Sequence, residues 1–253
     1  MVKRGLFLLT GLILLLPLVS LLYLTIVHQW TFPEIAGKGF YAGYWRDFFT
    51  GENNLYLSAG LSLFLAGSIA ATATFLGFFI SYYLSRQPGI LKLAYFPYLI
   101  APVVFGTMLQ YYFVRMNLTG TVRGVMIAQF LFIFPYSVLL FSTFWNDRVR
   151  QTAFQATTLG ASPDQVFLSV LLPMARPWFF LCFAQCFLIS WFEYGITQLI
   201  GVGKIETLTI KTMFFVKEAN PHLAALSACL MVLPMVFLLV IQRNLFLART
   251  TTS

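Results

Sequence analysis

Residues 53–85 read NNLYLSAGLSLFLAGSIAATATFLGFFISYYLS, and no charged residue falls between Glu52 and Arg86. A helix needs about 20 apolar residues to cross the hydrocarbon layer of a bilayer, so this run is long enough to span one. Helix is the expected form, because an unpaired backbone group in lipid costs several kcal/mol. A transmembrane barrel would show ten-residue strands of alternating polarity, whereas this run is apolar on all sides.

The same pattern recurs along the chain. Five further runs are almost free of Asp, Glu, Lys and Arg: Gly5 to Val27, Leu93 to Val114, Gly124 to Asn146, Pro177 to Gly203 and Ala219 to Gln242. Glu193 is the one interruption. The expectation is an all-α polytopic membrane protein with one transmembrane domain over 1–253. Its six helices lie at about 5–27, 55–84, 93–114, 124–145, 177–200 and 220–242, with a loop at 147–176 between the fourth and fifth.

Composition agrees. Of 253 residues, 59% are hydrophobic and 9% charged, against roughly 25% charged in soluble domains. So little polar surface excludes a water-soluble enzyme and a disordered chain alike. The net charge of +8 comes from 16 Lys and Arg against 8 Asp and Glu. These are scattered singly between apolar runs, which suits membrane anchoring and gives no warrant for a nucleic-acid partner. Three Cys without a CxxC pattern make neither a disulfide framework nor a metal knuckle. No metal site is expected.

Lys3 and Arg4 ahead of an apolar stretch resemble a secretory signal. The stretch is too long for one and lacks a small-x-small cleavage site, so a retained span is expected. With the N-terminus inside, nine Lys and Arg fall in inner loops and seven in outer ones, of the 16 in the chain. That tilt favours both termini in the cytoplasm. The outer segment 28–52 is rich in Trp, Tyr and Phe, as befits a membrane interface.

Residues 146–176, NDRVRQTAFQATTLGASPDQVFLSVLLPMAR, are too patterned for a plain connector. Residues 148–158 suit a short helix. Gly160 suits the left-handed position that ends helices. Ser162-Pro163-Asp164-Gln165 then reads as an N-cap, a proline at the first helical position, an acid facing the helix dipole and a capping-box partner. This second helix is expected to end near Leu171, before Pro173, with Pro177 opening the fifth span. Phe154, Val166, Phe167, Val170 and Leu171 make the loop too apolar to stand bare in water, which implies a partner surface.

Gly160-Ala161-Ser162-Pro163, followed by Gln165, Phe167, Val170, Leu172-Pro173 and Pro177, resembles the signature loop of permease subunits in binding-protein-dependent type I ABC importers. That signature reads Glu-Ala-Ala, three residues, Gly, nine residues, Ile, one residue, Leu-Pro. The spacing is met from Gly160 onward, with Val170 in place of Ile. Phe154-Gln155-Ala156 stands where Glu-Ala-Ala is expected. The six spans and Trp30-x-Phe32-Pro33 extend the resemblance over most of the chain. The part around Glu193, Gly201, Gly203 and Thr207 looks like permeases for polyamines, ferric iron, thiamine, sulfate or molybdate.

The resemblance implies that Gln155, Ala156, Gly160, Ala161, Ser162, Pro163, Phe167, Leu172 and Pro173 form a coupling loop docked on a cytoplasmic ATPase. It implies a second permease subunit, two ATPase subunits, a periplasmic or extracellular substrate-binding protein and a bacterial inner-membrane location. The chain has no GxxxxGK[ST] phosphate loop. It is therefore expected to carry no catalytic residues and to bind no cofactor, with ATP and Mg on the partner ATPase.

Glu193, with Tyr194 and Gly195, is the stranded carboxylate of the fifth span. A charge at mid-membrane costs roughly 2.5–3.5 kcal/mol on insertion scales, so it should face the bundle interior. It either lines the translocation path or gate, or bonds a neighbouring helix, with Lys204 or Gln198 as partner. The alternative reading of the chain is a secondary transporter or membrane scaffold using Glu193 as a proton or structural site. Small residues Gly60, Gly67, Ala70, Ala71, Thr74 and Gly77 in span two point to close helix packing. Cys182 and Cys186 share a helix face and read as buried small residues. His28 and His222 read as interfacial, and the sequon Asn117-Leu118-Thr119 as incidental.

Overall fold

The computed structural model describes residues 2–30, 37–50 and 54–250. Phe32 and Pro33 of the aromatic outer segment lie outside the described residues. The chain is an α-helical, multi-pass membrane protein. Among the described residues four helices are long and apolar enough to cross a bilayer: Leu55–Leu84, Val122–Phe144, Pro163–Trp191 and Pro221–Ile241. A bent pair, Pro88–Leu99 and Pro102–Arg115, makes a fifth if it counts as one broken span. Leu15–Ile26 is a further apolar helical stretch.

The elements run α1 (Val2–Ile26), β1 (Val27–Gln29), β2 (Lys38–Phe40), α2 (Gly43–Thr50) and α3 (Leu55–Leu84). Next come α4 (Pro88–Leu91), a 3-10 stretch (Lys92–Leu99), α5 (Pro102–Arg115) and α6 (Val122–Phe144). After them follow α7 (Asp147–Thr158), α8 (Pro163–Val166), a π turn (Phe167–Leu171) and α9 (Leu172–Trp191). The chain finishes with α10 (Gly195–Gly201), α11 (Leu208–Lys217) and α12 (Pro221–Thr250). Two compact units result, Met1–Ser62 with Glu206–Phe237, and Leu63–Ile205 with Leu238–Ser253.

In the first unit, β1 and β2 form a small antiparallel ladder with Val27 opposite Phe40 and Gln29 opposite Lys38. The outer segment was expected only as an interfacial stretch, and it contains this hairpin and α2. The Trp45 indole N–H donates to Thr25 Oγ1 at 3.2 Å, and the Leu208 amide donates to Ser62 Oγ at 2.7 Å. His222 stacks on Tyr44 at 4.9 Å with its Nδ1 3.0 Å from the Leu24 carbonyl, while His28 lies against Tyr41 at 5.0 Å. Both histidines are thus aromatic packing partners. Burial raises the Tyr44 phenol above its ordinary range, with Tyr41 and Asp47 adding to the effect.

The second unit departs from the sequence reading in three places, the third being the break at Glu193 described below. The helix expected over 93–114 is broken at Ile100–Ala101, and its two arms meet at 100°. Ala101 precedes Pro102, whose ring disfavours the helical region for the residue before it, and Ala101 sits extended at φ −64°, ψ 145°. Tyr98 anchors the first arm by donating to the Phe132 carbonyl at 2.7 Å.

The second departure concerns the helix that starts at Ser162. It was expected to stop near Leu171, with Pro177 opening a new span. Instead it continues to Trp191, with Pro173 and Pro177 inside it. Proline has no N–H and its ring clashes with the carbonyl four residues back. The π turn just before Pro173 relieves this: the Leu172 amide bonds five residues back, to the Phe167 carbonyl, and widens the coil there.

Within this unit α3 and α6 approach closely at Gly77. A Cβ there would land on the Ser137 hydroxyl. Small residues at helix crossings in lipid permit this proximity, where packing holds helices together. Gly77→Val should therefore cost about 1–3 kcal/mol of overpacking, measured as a lower thermal midpoint in detergent. Gly67→Val, where a Cβ meets nothing within 4 Å, should leave the midpoint unchanged.

Candidate functional site

The turn around Gly160 is built as its sequence predicts. Asn146 caps α7 by accepting the Val149 amide at 3.1 Å. At the other end Gly160 takes φ +90°. The Gly160 amide donates to the Thr157 carbonyl at 3.0 Å and the Ala161 amide to the Ala156 carbonyl at 3.1 Å. This pair of bonds is the Schellman stop, satisfying carbonyls that the helix end leaves open. Ser162 then opens α8 with a complete capping box: its amide donates to Gln165 Oε1 at 2.9 Å and its hydroxyl accepts the Gln165 amide at 3.4 Å.

The two caps leave α7 and α8 joined by a tight, fully hydrogen-bonded corner. The positions singled out from the sequence lie along it. Gln155, Gly160, Ser162, Pro163 and Pro173 are exposed, and Ala156, Ala161, Phe167 and Leu172 are partly covered. The apolar knob divides in two. Val166 is buried within its own unit, and Phe167 leans on Phe79 at 6.3 Å. Phe154 (69% exposed), Leu159 (88%) and Leu168 (60%) stand out. The sequence reading named Phe154 and missed Leu159 and Leu168. Leu159 directly precedes the Gly160 stop, and that neighbour was the available signal.

The second constellation surrounds Glu193, which is 7% exposed. The fifth span, expected as one helix to about residue 200, breaks at Phe192–Tyr194 between α9 and α10. The break frees the first amides of α10, and Glu193 collects them. Ile196 N–H donates to Oε1 at 2.6 Å, and Thr197 N–H to Oε2 at 2.9 Å. The Thr197 hydroxyl donates to Oε2 at 2.7 Å. Gln129 of α6 adds its Nε2 at 3.4 Å from Oε2 and 2.7 Å from Thr197 Oγ1, and its Oε1 accepts from the Ser190 hydroxyl. Gln129, Ser190 and Thr197 are themselves buried.

The expected partners Lys204 and Gln198 do not take part. Gln198 is exposed, five residues on and off the carboxylate's face, and Lys204 lies with its chain against Gly120. Tyr194 is partly covered and Gly195 is buried against Val103 of α5. The missed members are Gln129, Ser190 and Thr197. Gln129 was visible as a lone amide inside a charge-free run, since a polar side chain in lipid needs a buried partner.

Cys182 and Cys186 are buried with their sulfurs 3.9 Å apart. Among the described residues no three of His, Cys, Asp and Glu are placed to hold a metal ion.

These elements define a multi-pass helical membrane protein with a capped corner at one helix end and a polar cluster deep in the same unit. No protein-family model matches the chain. It is 27% identical over 236 residues to the melibiose/raffinose/stachyose import permease protein MelC of Bacillus subtilis (strain 168), covering 87% of this chain and 81% of that one. The likeness supports a permease subunit of an ABC importer. It gives no support to the polyamine, ferric iron, thiamine, sulfate or molybdate groups that the Glu193 part of the sequence resembles.

The geometry around Glu193 makes a stability forecast. A glutamine at this position presents one oxygen and one N–H2 where two oxygens now accept. Glu193→Gln should leave at least one buried donor unsatisfied, at about 1–3 kcal/mol, read as a lower thermal midpoint in detergent. Glu193→Ala should lower it further. A Glu193→Gln protein with unchanged midpoint and abolished uptake would assign the carboxylate to the transport path instead.

Proposed function

We propose that this chain is one of two permease subunits of an ABC importer in a bacterial inner membrane, with both termini in the cytoplasm. The observation that carries the reading is the capped corner at Gly160 with its uncovered Phe154, Leu159 and Leu168, taken with the likeness to an import permease. An exposed apolar knob at the end of a membrane bundle calls for a protein surface to cover it. In this reading α7 and the Gly160 turn dock on a separate ATPase subunit, one for each permease. A substrate-binding protein delivers cargo on the opposite side. ATP and Mg are held by the ATPase, and this chain contributes no catalytic group.

The named relative imports melibiose, raffinose and stachyose, so a sugar of that kind is the substrate class to test first. The mechanism in this reading is alternating access. Closure of the ATPases on ATP pushes the α7 corner, and α8 to α9 carries the displacement into the bundle. Glu193, Tyr194 and Gly195 lie at the far end of that helix, where the path or its gate is placed by this reading.

Expression with its neighbouring genes gives the first test. The detergent-solubilised chain should retain an ATPase subunit through two chromatographic steps, and a chain that never retains one excludes the importer reading. Gly160→Pro tests the coupling. Proline's fixed φ of about −65° is incompatible with +90°, and it removes the amide that bonds Thr157. Transport-stimulated ATP hydrolysis should be lost while the chain still inserts. Unchanged stimulation would sink the coupling role.

A further inference from the structure

A groove of about 840 Å³ opens beside the α7 corner, entirely within the second unit. It is bounded by the end of α3, by α7 and by the start of the helix that carries the π turn. Buried Phe78, Trp145 and Val166 back its floor, and the exposed rings of Phe79, Tyr83 and Phe154 form its open walls. Arg86 and Arg150 stand at its rim, both exposed. The volume falls in the roughly 300–1,000 Å³ range of small-molecule sites.

The two arginines are oriented, and their charge is uncompensated. Arg86 lies over the Tyr82 ring at 4.7 Å and donates to its hydroxyl at 2.6 Å. Arg150 donates to Ser85 Oγ at 3.4 Å. Both supports are neutral. Among the described residues the ion pair is Lys211–Glu206, and no carboxylate pairs with either guanidinium. A planar guanidinium with free N–H donors suits phosphate bidentately. The groove lies at the last turn of a membrane helix, where α3 ends and charged residues begin. Headgroup phosphates lie at that depth, with acyl chains just beyond.

The geometry points to a binding site for one anionic phospholipid, its phosphate on Arg86 and Arg150 and the upper part of an acyl chain against the aromatic floor. The site adjoins the docking face of the importer reading, sharing Phe154 and Pro163 with it, and needs only that the chain is embedded in a bilayer. It explains why an aromatic hollow and two unpaired cations share one opening. A protein occupant of the groove would have to bring both an apolar plug and a double negative charge. A lipid carries both in one molecule, at the concentration of the membrane itself. Bound there, it wedges between α3 and α7 and sets the angle of the corner.

Trp145 on the groove wall is the reporter. The full chain in nanodiscs of phosphatidylcholine is titrated with brominated phosphatidylglycerol or brominated phosphatidylcholine, and tryptophan quenching is followed. The phosphatidylglycerol should quench at lower mole fraction, by about fivefold per arginine and so roughly 25-fold for both. Arg86→Gln with Arg150→Gln should remove that preference. Ala153→Leu, which fills the groove without changing charge, should remove it too. Trp145→Phe should lose the phosphatidylglycerol-specific part of the signal, separating this site from the other tryptophans. Equal quenching by both lipids would overturn the proposal, assigning the groove to acyl chains of any headgroup. Loss on the arginine variant with none on Ala153→Leu would also overturn it, leaving a surface ion contact. Quenching by neither lipid would overturn it in favour of a protein occupant. Failure to retain an ATPase would sink the importer reading and leave this one standing.

Discussion

The Glu193 carboxylate holds the second unit together at the point where its longest helix stops. A helix that begins inside a membrane exposes amides that lipid cannot satisfy, and each costs several kcal/mol if left bare. Here α9 ends at Trp191 and α10 starts at Gly195, so the freed amides of Ile196 and Thr197 face the carboxylate directly. Gln129 closes the arrangement from α6, and α10 is thereby pinned against both α5 and α6. At the break the Ile196 and Thr197 amides are both taken up by Glu193, and the Phe192 and Glu193 amides bond back to the end of α9. The cost of burying a charge is offset by several hydrogen bonds made to it.

The broken pair before α5 obeys the same constraint with different chemistry. Ala101–Pro102 interrupts the chain where proline offers no amide to satisfy. Tyr98 supplies a hydroxyl donor to the Phe132 carbonyl across the gap. Two interior breaks, one capped by an anion and one made by proline, let short helices lie side by side where a simple bundle would run straight spans.

Much of this was legible from the residues alone. The charge-free runs located the long helices, because a bilayer sets their length. Ser162-Pro163-Asp164-Gln165 and Gly160 defined a local corner, because caps and left-handed stops act within a few residues and need no tertiary context. The misses have a common origin. Pro102 was counted as part of an apolar run, although its effect on Ala101 is local and was readable. Pro173 was taken as a stop, although a π turn absorbs the clash that makes proline a breaker. Glu193 was recognised as stranded, but its partners are set by the α9–α10 break, which apolar periodicity does not reveal. Thr197, four residues on, stood nearer in sequence than Gln198 or Lys204 and was passed over, while Gln129 comes from a different helix.

The continuity through Pro173 changes what the corner can do. A helix ending near Leu171 would leave two hinges between the Gly160 turn and the Glu193 cluster. One continuous path from the Ser162 cap to Trp191 leaves the π turn and Pro177 as its soft points, since π insertions and interior prolines are where helices bend. Side chains packed on both sides of the π turn restrict it: Val166 is buried, and Phe78 packs at a tilt against Phe179, ring centroids 4.7 Å apart, within the same unit. In the proposed importer a push at the corner travels along this helix rather than through a loop. It reaches a helix end held by the Glu193 carboxylate and its bonds to Ile196, Thr197 and Gln129. On that reading the Glu193 break is where the gate is to be sought.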